Sequence, residues 1–158
     1  MRAVVYHGPG DLRLEEAGRP GAEPGQIVVA VSACGICGTD LSAYRKGSLA
    51  KRGTVLGHEF CGRVVEVGAG VKGVRPGDRV TATPVLPCGE CPRCRGGTPH
   101  LCEVALHRTL GLRIHGALAE YVRIPVVRTG DTVHILPDEL SDEQGRWWSH
   151  CRWPCMPS

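Results

Sequence analysis

The sequence is poor in aromatic residues: its 158 positions include one Phe, three Tyr and three Trp. A hydrophobic core must therefore be built from aliphatic side chains, and a hydrophobic share of 42% is enough for one ordinary domain. The 22 Gly and 12 Pro residues are spread along the chain. This distribution is typical of short strands that are joined by frequent turns.

Long apolar runs and runs of charge are also missing. No stretch reaches the roughly 20 apolar residues that a membrane-spanning helix needs, and the apolar segment 1–6 is too short for a signal peptide. The net charge is only +3, and the basic residues are scattered. We therefore expect a soluble, cytoplasmic protein that binds neither membranes nor nucleic acid; the sequence leaves its oligomeric state open.

Cysteine, by contrast, is plentiful, with nine residues. In a reducing cytosol, clustered cysteines are more typical of metal sites than of disulfides. Four of them follow the spacing C-x2-C-x2-C-x7-C, namely Cys88, Cys91, Cys94 and Cys102. Four thiolates satisfy the tetrahedral preference of Zn²⁺ and leave no open coordination position, so we predict a structural zinc. Free thiols and a DNA-reading zinc finger are the alternatives, but segment 103–110 offers no convincing recognition helix.

A second group of metal-binding residue types is spread over two segments. Cys37 and Asp40 follow the longest β-branched run, and His58 and Glu59 come later in the chain. A catalytic zinc site uses three protein ligands and keeps one position for water or substrate. Asp40 could orient the His58 ring. From spacing alone, Cys34 and Cys37 could instead form a redox pair, and His58 could be a structural residue.

The pattern of short apolar segments predicts a β-rich fold. Strands are predicted at 2–6, 12–15, 26–33, 62–67, 78–83, 117–124 and 132–136. The turn residues at 7–10 indicate a hairpin, and a single short helix is predicted at 39–46 with Thr39 as its N-cap. Many short strands with turns between them favour a barrel or a sandwich.

One glycine motif is misleading. The segment 68–73 matches G-x-G-x-x-G, which in a dinucleotide-binding domain opens a helix whose N-terminus faces a pyrophosphate. Here Pro76 and Gly77 follow almost at once and leave no room for that helix. We interpret the segment as a turn between two strands.

Taken together, these motifs resemble the N-terminal, GroES-like catalytic domain of zinc-dependent medium-chain alcohol and polyol dehydrogenases, such as butanediol, sorbitol and threonine dehydrogenases. The resemblance rests on CGICGTD at 34–40, on GHEFCG at 57–62 followed by the glycines at 68–70, and on the four-cysteine segment. It covers residues 1–144. It implies a mainly β fold, with a partly open barrel, a structural-zinc loop and few short helices.

The resemblance also implies a role for each residue of the second group. Cys37 and His58 are implied as ligands of a catalytic zinc, and Glu59 as a carboxylate that binds the metal or helps to exchange its water. Asp40 is implied as the partner of His58, and Thr39 as the acceptor of the substrate proton. In such enzymes zinc lowers the pKa of an alcohol or polyol, and the resulting alkoxide passes a hydride to NAD or NADP.

Two features depart from this family pattern. Ser42 occupies the position where many relatives carry a histidine of the proton relay. Relatives also continue into a Rossmann domain, which supplies a third ligand to the catalytic zinc, whereas the tail 145–158 holds all three Trp residues together with His150, Cys151 and Cys155. When the tail is translated back into DNA with permitted codon choices and read two bases later, it can encode a Val-Glu-Pro-like segment of the family.

We therefore predict that the domain ends at 144 and that the tail 145–158 is frameshifted. On this interpretation the Rossmann domain is absent, His150, Cys151 and Cys155 are not metal ligands, and the chain alone is inactive. NAD or NADP would bind only a full-length form. The alternative is a stand-alone zinc-binding module with an interaction role.

Overall fold

The strands form two antiparallel sheets in the computed structural model, which describes residues 1–47 and 49–148. The strands are β1 (Arg2–Gly8), β2 (Asp11–Glu16), β3 (Ile27–Gly35), β4 (Thr54–Val55), β5 (Glu59–Val67), β6 (Arg79–Ala82), β7 (Tyr121–Ile124) and β8 (Val133–Ile135). The first sheet has the order β2-β1-β4 and the second has the order β7-β3-β5-β6-β8. The two sheets do not close on one another, which confirms the predicted mainly β, partly open architecture.

The helices are short. They are α1 (Gly38–Lys46), α2 (Pro92–Arg95), α3 (Asp142–Gly145) and two 3-10 helices at Pro99–Leu101 and Glu103–Arg108. No helix in the described part of the chain is long and apolar enough to cross a membrane.

A connecting segment joins the two sheets. The N–H of Val4 in β1 donates to the carbonyl of Leu118 at 2.8 Å, and the N–H of Glu120 donates to the carbonyl of Arg2 at 3.1 Å. Segment 117–120 therefore runs along β1 and becomes β7 of the second sheet only at Tyr121. The strand predicted at 117–124 is for this reason shorter than expected.

The main core is aliphatic, as the composition predicts. Its buried members include Ile27, Val29, Phe60, Val64, Val80, Leu86, Leu110, Ile124 and Val133. Phe60 is the one aromatic member of this described cluster and is fully buried. Ile27, Val28 and Val29 at the start of β3 are all buried, so both faces of the strand are covered there, which explains its continuous β-branched run.

Several boundaries differ from the prediction. Helix α1 is capped by Cys37 and not by Thr39, because the Cys37 sulfur accepts the N–H of Thr39 while the Asp40 carboxylate accepts the N–H of Cys37 at 3.0 Å. β5 begins at Glu59, earlier than position 62. The sequence pattern also missed β4 and the helices α2 and α3, which are only two to four residues long and show no periodicity.

The glycine segment 68–73 forms a turn, as predicted. Gly70 adopts a φ of 81°, in the left-handed region that glycine tolerates, and the chain passes from β5 to β6 without a helix. The pairings between the described strands are all antiparallel, so no βαβ unit lies within residues 1–47 and 49–148.

Candidate metal centres

The four-cysteine segment folds back on itself so that its sulfurs converge. Helix α2 begins at Pro92, directly after Cys91. The 3-10 helix Pro99–Leu101 packs against α2, and Cys102 follows it directly. The Sγ of Cys88 lies 3.9 Å from that of Cys94 and 3.6 Å from that of Cys102, and Cys91 Sγ lies 3.5 Å from Cys94 Sγ. We call this segment, 88–102, the cysteine lobe.

These sulfur separations fit a zinc ion. Tetrahedral coordination with Zn–S bonds of 2.3 Å places neighbouring sulfurs about 3.8 Å apart. The measured values of 3.5 to 3.9 Å bracket that figure. The lobe can therefore hold a structural zinc with little rearrangement.

Backbone N–H groups prepare the lobe for anionic sulfur. The N–H groups of Glu90 and Cys91 donate to Cys88 Sγ and lower the pKa of that thiol to about 6. The N–H of Cys88 donates to Cys102 Sγ at 3.4 Å and lowers the pKa of Cys102. Burial raises the pKa of Cys94 to about 12, so the metal itself must favour that thiolate.

The second site lies where two strands of the larger sheet meet a helix. Cys37 follows the end of β3 and caps α1, while His58 and Glu59 stand at the start of β5. Cys37 Sγ lies 3.2 Å from His58 Nε2, and the ligand atoms of these two residues and of Glu59 all lie within 4.8 Å of one another. His58 and Glu59 are buried, whereas Cys37 is partly exposed. We call this group the Cys37 site.

The Cys37 site also fits zinc. Tetrahedral bonds of 2.3 Å to sulfur and about 2.05 Å to nitrogen separate the two ligand atoms by about 3.6 Å, close to the observed 3.2 Å. A set of Cys, His and Glu ligands leaves one position of the tetrahedron for water or substrate. The lobe would thus fill all four coordination positions of a zinc ion, whereas the Cys37 site would leave one position free.

Asp40 links the two segments that carry the ligands. Its carboxylate accepts the N–H of Cys37 at 3.0 Å and the N–H of Gly57 at 3.2 Å. Its Oδ1 lies 3.9 Å from His58 Nδ1, beyond hydrogen-bond distance, and Nδ1 is buried without a hydrogen-bond partner among the described residues. The sequence suggested that Asp40 orients the His58 ring; in the structure its hydrogen bonds go to backbone N–H groups on both ligand-carrying segments, and its charge lies near the ring.

Thr39 lies in the first turn of α1, beside the sulfur of Cys37. Burial raises the pKa of the Cys37 thiol, and hydrogen bonds from the hydroxyl and the N–H of Thr39 partly oppose this effect. The Thr39 side chain is partly exposed, and its oxygen can still accept a further hydrogen bond.

Arg146 is a site residue that sequence reasoning missed. A β-carbon placed on Gly35 would lie 2.7 Å from a guanidinium nitrogen of Arg146 and 2.8 Å from a carboxylate oxygen of Glu59. The glycine at 35 therefore leaves the space in which these opposite charges approach. Arg146 follows α3, within the segment predicted to be a foreign tail, and no spacing motif points to it.

Close backbone packing supports the segment that carries His58. Gly57 has a φ of 87°, and a β-carbon on it would lie 2.7 Å from Leu118 Cγ and 2.8 Å from Cys34 Sγ. A β-carbon on Gly116 would lie 2.0 Å from the Gly57 carbonyl oxygen. The N–H of Ala117 donates to that oxygen at 2.8 Å. Glycines at 57 and 116 are thus required for this approach.

The redox alternative for Cys34 and Cys37 finds no support in the environment of Cys34. Burial, together with the nearby carboxylates of Asp40 and Glu59, raises the pKa of Cys34 to about 12. A buried thiol with so high a pKa is a poor nucleophile.

One partly open β-barrel thus carries a closed four-cysteine site and an open Cys–His–Glu site, both with the donor set of a zinc centre, and this combination defines the class of the domain. The family model of the alcohol dehydrogenase GroES-like domain matches residues 23–138, and the chain belongs to this family. The resemblance inferred from the sequence is thereby confirmed.

Three relatives illustrate the similarity. A zinc-type alcohol dehydrogenase B of Aspergillus flavus is 44% identical over 145 residues, which are 90% of this chain and 33% of that protein. An L-threonine 3-dehydrogenase of Xanthomonas euvesicatoria is 37% identical over 134 residues, 82% of this chain and 38% of the relative. The crystal structure of galactitol-1-phosphate dehydrogenase from Escherichia coli superposes with a TM-score of 0.82 and 32% identity, covering 93% of this chain and 41% of that one.

The chain thus spans only 33 to 41% of the length of these relatives. The predicted boundary at 144 falls inside α3, whose last residue, Gly145, is buried against Leu136 and Cys61. Most of the predicted foreign tail, including His150, Cys151 and Cys155, lies outside the described residues.

Proposed function

We propose that this chain supplies the metal-binding, substrate-side domain of a dehydrogenase that oxidises the hydroxyl group of an alcohol or polyol. The observation that carries the proposal is the convergence of Cys37 Sγ, His58 Nε2 and a Glu59 carboxylate oxygen within 4.8 Å of one another. The names of the relatives support it, since they include alcohol, threonine and galactitol-1-phosphate dehydrogenases. NAD or NADP is the hydride acceptor that we propose for the longer protein.

Each residue of the Cys37 site is proposed to have a separate role. A zinc ion held there supplies Lewis-acid chemistry, which lowers the pKa of an alcohol oxygen. Cys37 and His58 would hold the ion, and Asp40 keeps their two segments in register through its bonds to the N–H groups of Cys37 and Gly57. Glu59 would complete the ligand set, and the Arg146 guanidinium near its carboxylate would compete with the ion for that charge.

Thr39 is the residue proposed to take the substrate proton. It donates its hydroxyl hydrogen toward Cys37 Sγ, which leaves its oxygen lone pairs to accept the hydrogen of a substrate hydroxyl. Ser42 lies one turn further on the same face of α1, since residues three apart are neighbours on a helix. A serine stands there in place of the histidine of many relatives, so the onward route of the proton differs from theirs.

The cysteine lobe is proposed to have a structural role. Its four sulfurs match a closed tetrahedral set, which offers no position for a substrate. Its ion would tie the 3-10 helices to the loop that precedes α2, since Cys88 and Cys102 stand at opposite ends of the lobe.

The decisive experiment is genetic and then kinetic. DNA on either side of codons 144 to 146 is sequenced, and the chain is expressed with the reading frame restored. We expect the longer protein to reduce NAD or NADP in the presence of a vicinal diol or polyol. Cys37→Ala and His58→Ala should abolish this activity, while Thr39→Ala should retain zinc and slow turnover by about 10²-fold or more.

Three results would overturn the proposal. They are an alternative frame that closes within a few codons, a restored domain without a βαβ unit, and full activity in a zinc-loaded Cys37→Ala enzyme. For the 158-residue chain itself we expect no saturable binding of NADH, because the described residues contain no βαβ unit. Titration of NADH fluorescence measures this directly.

A further inference from the structure

The structure contains a cavity that none of the predicted metal ligands lines. It has a volume of about 700 Å³ and lies between the β1–β2 hairpin, segment 51–55 and the segments 113–116 and 121–125. Small-molecule sites typically measure about 300 to 1,000 Å³, so this cavity is large enough for a ligand of metabolite size.

The charged groups that line the cavity are mostly positive. Lys51, Arg52, Arg113 and Arg123 are among the lining residues, while Glu15 is the single acidic residue among them. Glu15 is already bonded to His7, with 2.8 Å between the carboxylate oxygen and the ring nitrogen. The cavity therefore has an excess of positive charge that its own walls do not neutralise.

Three of these cations also lack a partner elsewhere in the described chain. Arg123 pairs with Glu23 at 3.4 Å, but Lys51, Arg52 and Arg113 form no ion pair with any described carboxylate. Asp11, whose pKa responds to the Arg52 charge, is bonded by Arg13 through both oxygens at 2.9 Å. Unpaired guanidinium groups in a concavity are the usual recognition element for phosphate.

The backbone fixes the relative positions of the segments that carry the cations. The N–H of Lys51 donates to the Leu112 carbonyl at 2.8 Å, directly beside Arg113. The N–H of Val55 donates to His115 Nδ1 at 3.2 Å. Because Nδ1 accepts this bond, the neutral His115 ring carries its proton on Nε2, and His115 is itself one of the residues that line the cavity.

We propose that this cavity is a binding site for a small phosphate-bearing anion, with Lys51, Arg52 and Arg113 as its recognition residues. The site is independent of the metal centres and of the proposed dehydrogenase activity. A concave site of this volume suits a phosphorylated small molecule, and not a membrane surface or a nucleic acid duplex.

The test titrates the full 158-residue chain, loaded with zinc, with pyrophosphate and with inorganic phosphate. Calorimetry measures the affinity, and the amide resonance of Val55 reports the location, because its N–H is bonded to His115. We expect saturable one-to-one binding that is tighter for pyrophosphate, with a shift of the Val55 resonance. Lys51→Gln and Arg113→Gln should each weaken binding about tenfold, the effect of losing one charge-assisted hydrogen bond.

Two matched variants separate this site from the alternatives. Lys72→Gln makes the same change in charge at an exposed residue that does not line the cavity, and it should leave the affinity within twofold. His58→Ala should likewise retain pyrophosphate binding. A failure of the anion-binding proposal can therefore be told apart from a failure of the dehydrogenase proposal.

Several outcomes would overturn the inference. Equal weakening by Lys72→Gln would show a general charge effect, and loss of binding in His58→Ala would place the anion at the Cys37 site. The absence of saturable pyrophosphate binding would also overturn it.

Discussion

The cysteine lobe and the Cys37 site use similar ligand atoms but are assembled in different ways. All four lobe sulfurs come from segment 88–102, and backbone N–H groups of that same segment bond to them. The Cys37 site instead joins the end of β3 to the start of β5 through the carboxylate of Asp40. A site built within one loop depends on spacing, whereas a site built between strands depends on the whole sheet.

The two sites also differ in how the protein manages charge. Hydrogen bonds from Glu90 and Cys91 lower the pKa of Cys88 to about 6, so a lobe sulfur is anionic near neutral pH. Burial raises the pKa of Cys37 and, even more, that of Cys34. The lobe thus contains a thiol, Cys88, whose anion backbone hydrogen bonds stabilise, whereas burial opposes ionisation of Cys37 and, within the lobe, of Cys94.

The largest expected effect separates the two sites by metal content. We expect about one tightly bound zinc per purified chain, held by the lobe, because structural sites of this kind bind zinc with about 10 to 16 kcal/mol. Cys94→Ala should remove this zinc, and Cys37→Ala should keep it. Elemental analysis of the purified variants gives the answer. If Cys37→Ala loses the zinc and Cys94→Ala retains it, the tightly bound ion is held by the Cys37 site and not by the lobe.

Two glycine variants test how strongly the Cys37 site depends on tertiary packing. Gly57→Ala meets Leu118 and Cys34 at under 3 Å, whereas Gly70→Ala has a similar positive φ and open space around it. We expect Gly70→Ala to lower the free energy of unfolding by about 1 kcal/mol, the strain of its backbone alone. Gly57→Ala should lower it by about 3 kcal/mol or more, because backbone atoms must also move.

Metal binding distinguishes the two glycine variants further. With the lobe filled by zinc, Co²⁺ is titrated and the thiolate–cobalt absorption is followed, using Cys37→Ser as the blank. Gly57→Ala should lose this signal and keep the lobe zinc, while Gly70→Ala should retain both. Equal behaviour of the two variants would mean that the packing at 57 does not support the site.

Asp40 offers a smaller and more local change. Asp40→Asn keeps one oxygen acceptor, so it can hold the N–H of Cys37 or that of Gly57 but not both. We expect the affinity of the Cys37 site for Co²⁺ to fall about 10- to 100-fold, the usual effect of residues that support metal ligands. The lobe zinc should be unaffected. An unchanged cobalt affinity would show that the two segments are held in register by other contacts.

The smallest effect concerns the anchor of α3, which brings Arg146 to Glu59. Arg79 bonds Asp142 at 2.8 Å, and this bond lowers the pKa of Asp142. The Asp142 side chain is 41% exposed, so solvent screening limits the contribution to about 0.5 to 1 kcal/mol. Since the folded pKa is the lower one, this stability is present above the unfolded pKa of about 3.9 and is lost as pH falls through the folded value.

Urea unfolding of Asp142→Asn checks this contribution. The variant should be less stable than the parent at pH 7, and the difference should shrink as the pH falls below about 4. Asp138→Asn, at an exposed position without an ion pair in the described chain, is the control and should change nothing. If the difference in the free energy of unfolding persists in acid, the substitution acts through the helix and not through the charge of Asp142.

The sequence by itself determined the β-rich class, the cysteine lobe and most strand positions. These follow from interactions between residues that are near in the chain: sulfur spacing, β-branched runs such as that of β3, and glycine turns such as 68–73. The helices α2 and α3 escaped prediction because four residues are too few to show a period.

Only the tertiary structure decided how the Cys37 site is supported. Asp40 bonds to backbone groups on two segments. Arg146, near the far end of the described chain, lies close to Glu59. The cavity is lined by Lys51 and Arg113, which come from separate loops. Such contacts depend on the order and register of the strands between them. Because local sequence patterns carry no information about which distant residues will meet, these neighbours emerge only when the sheets are assembled.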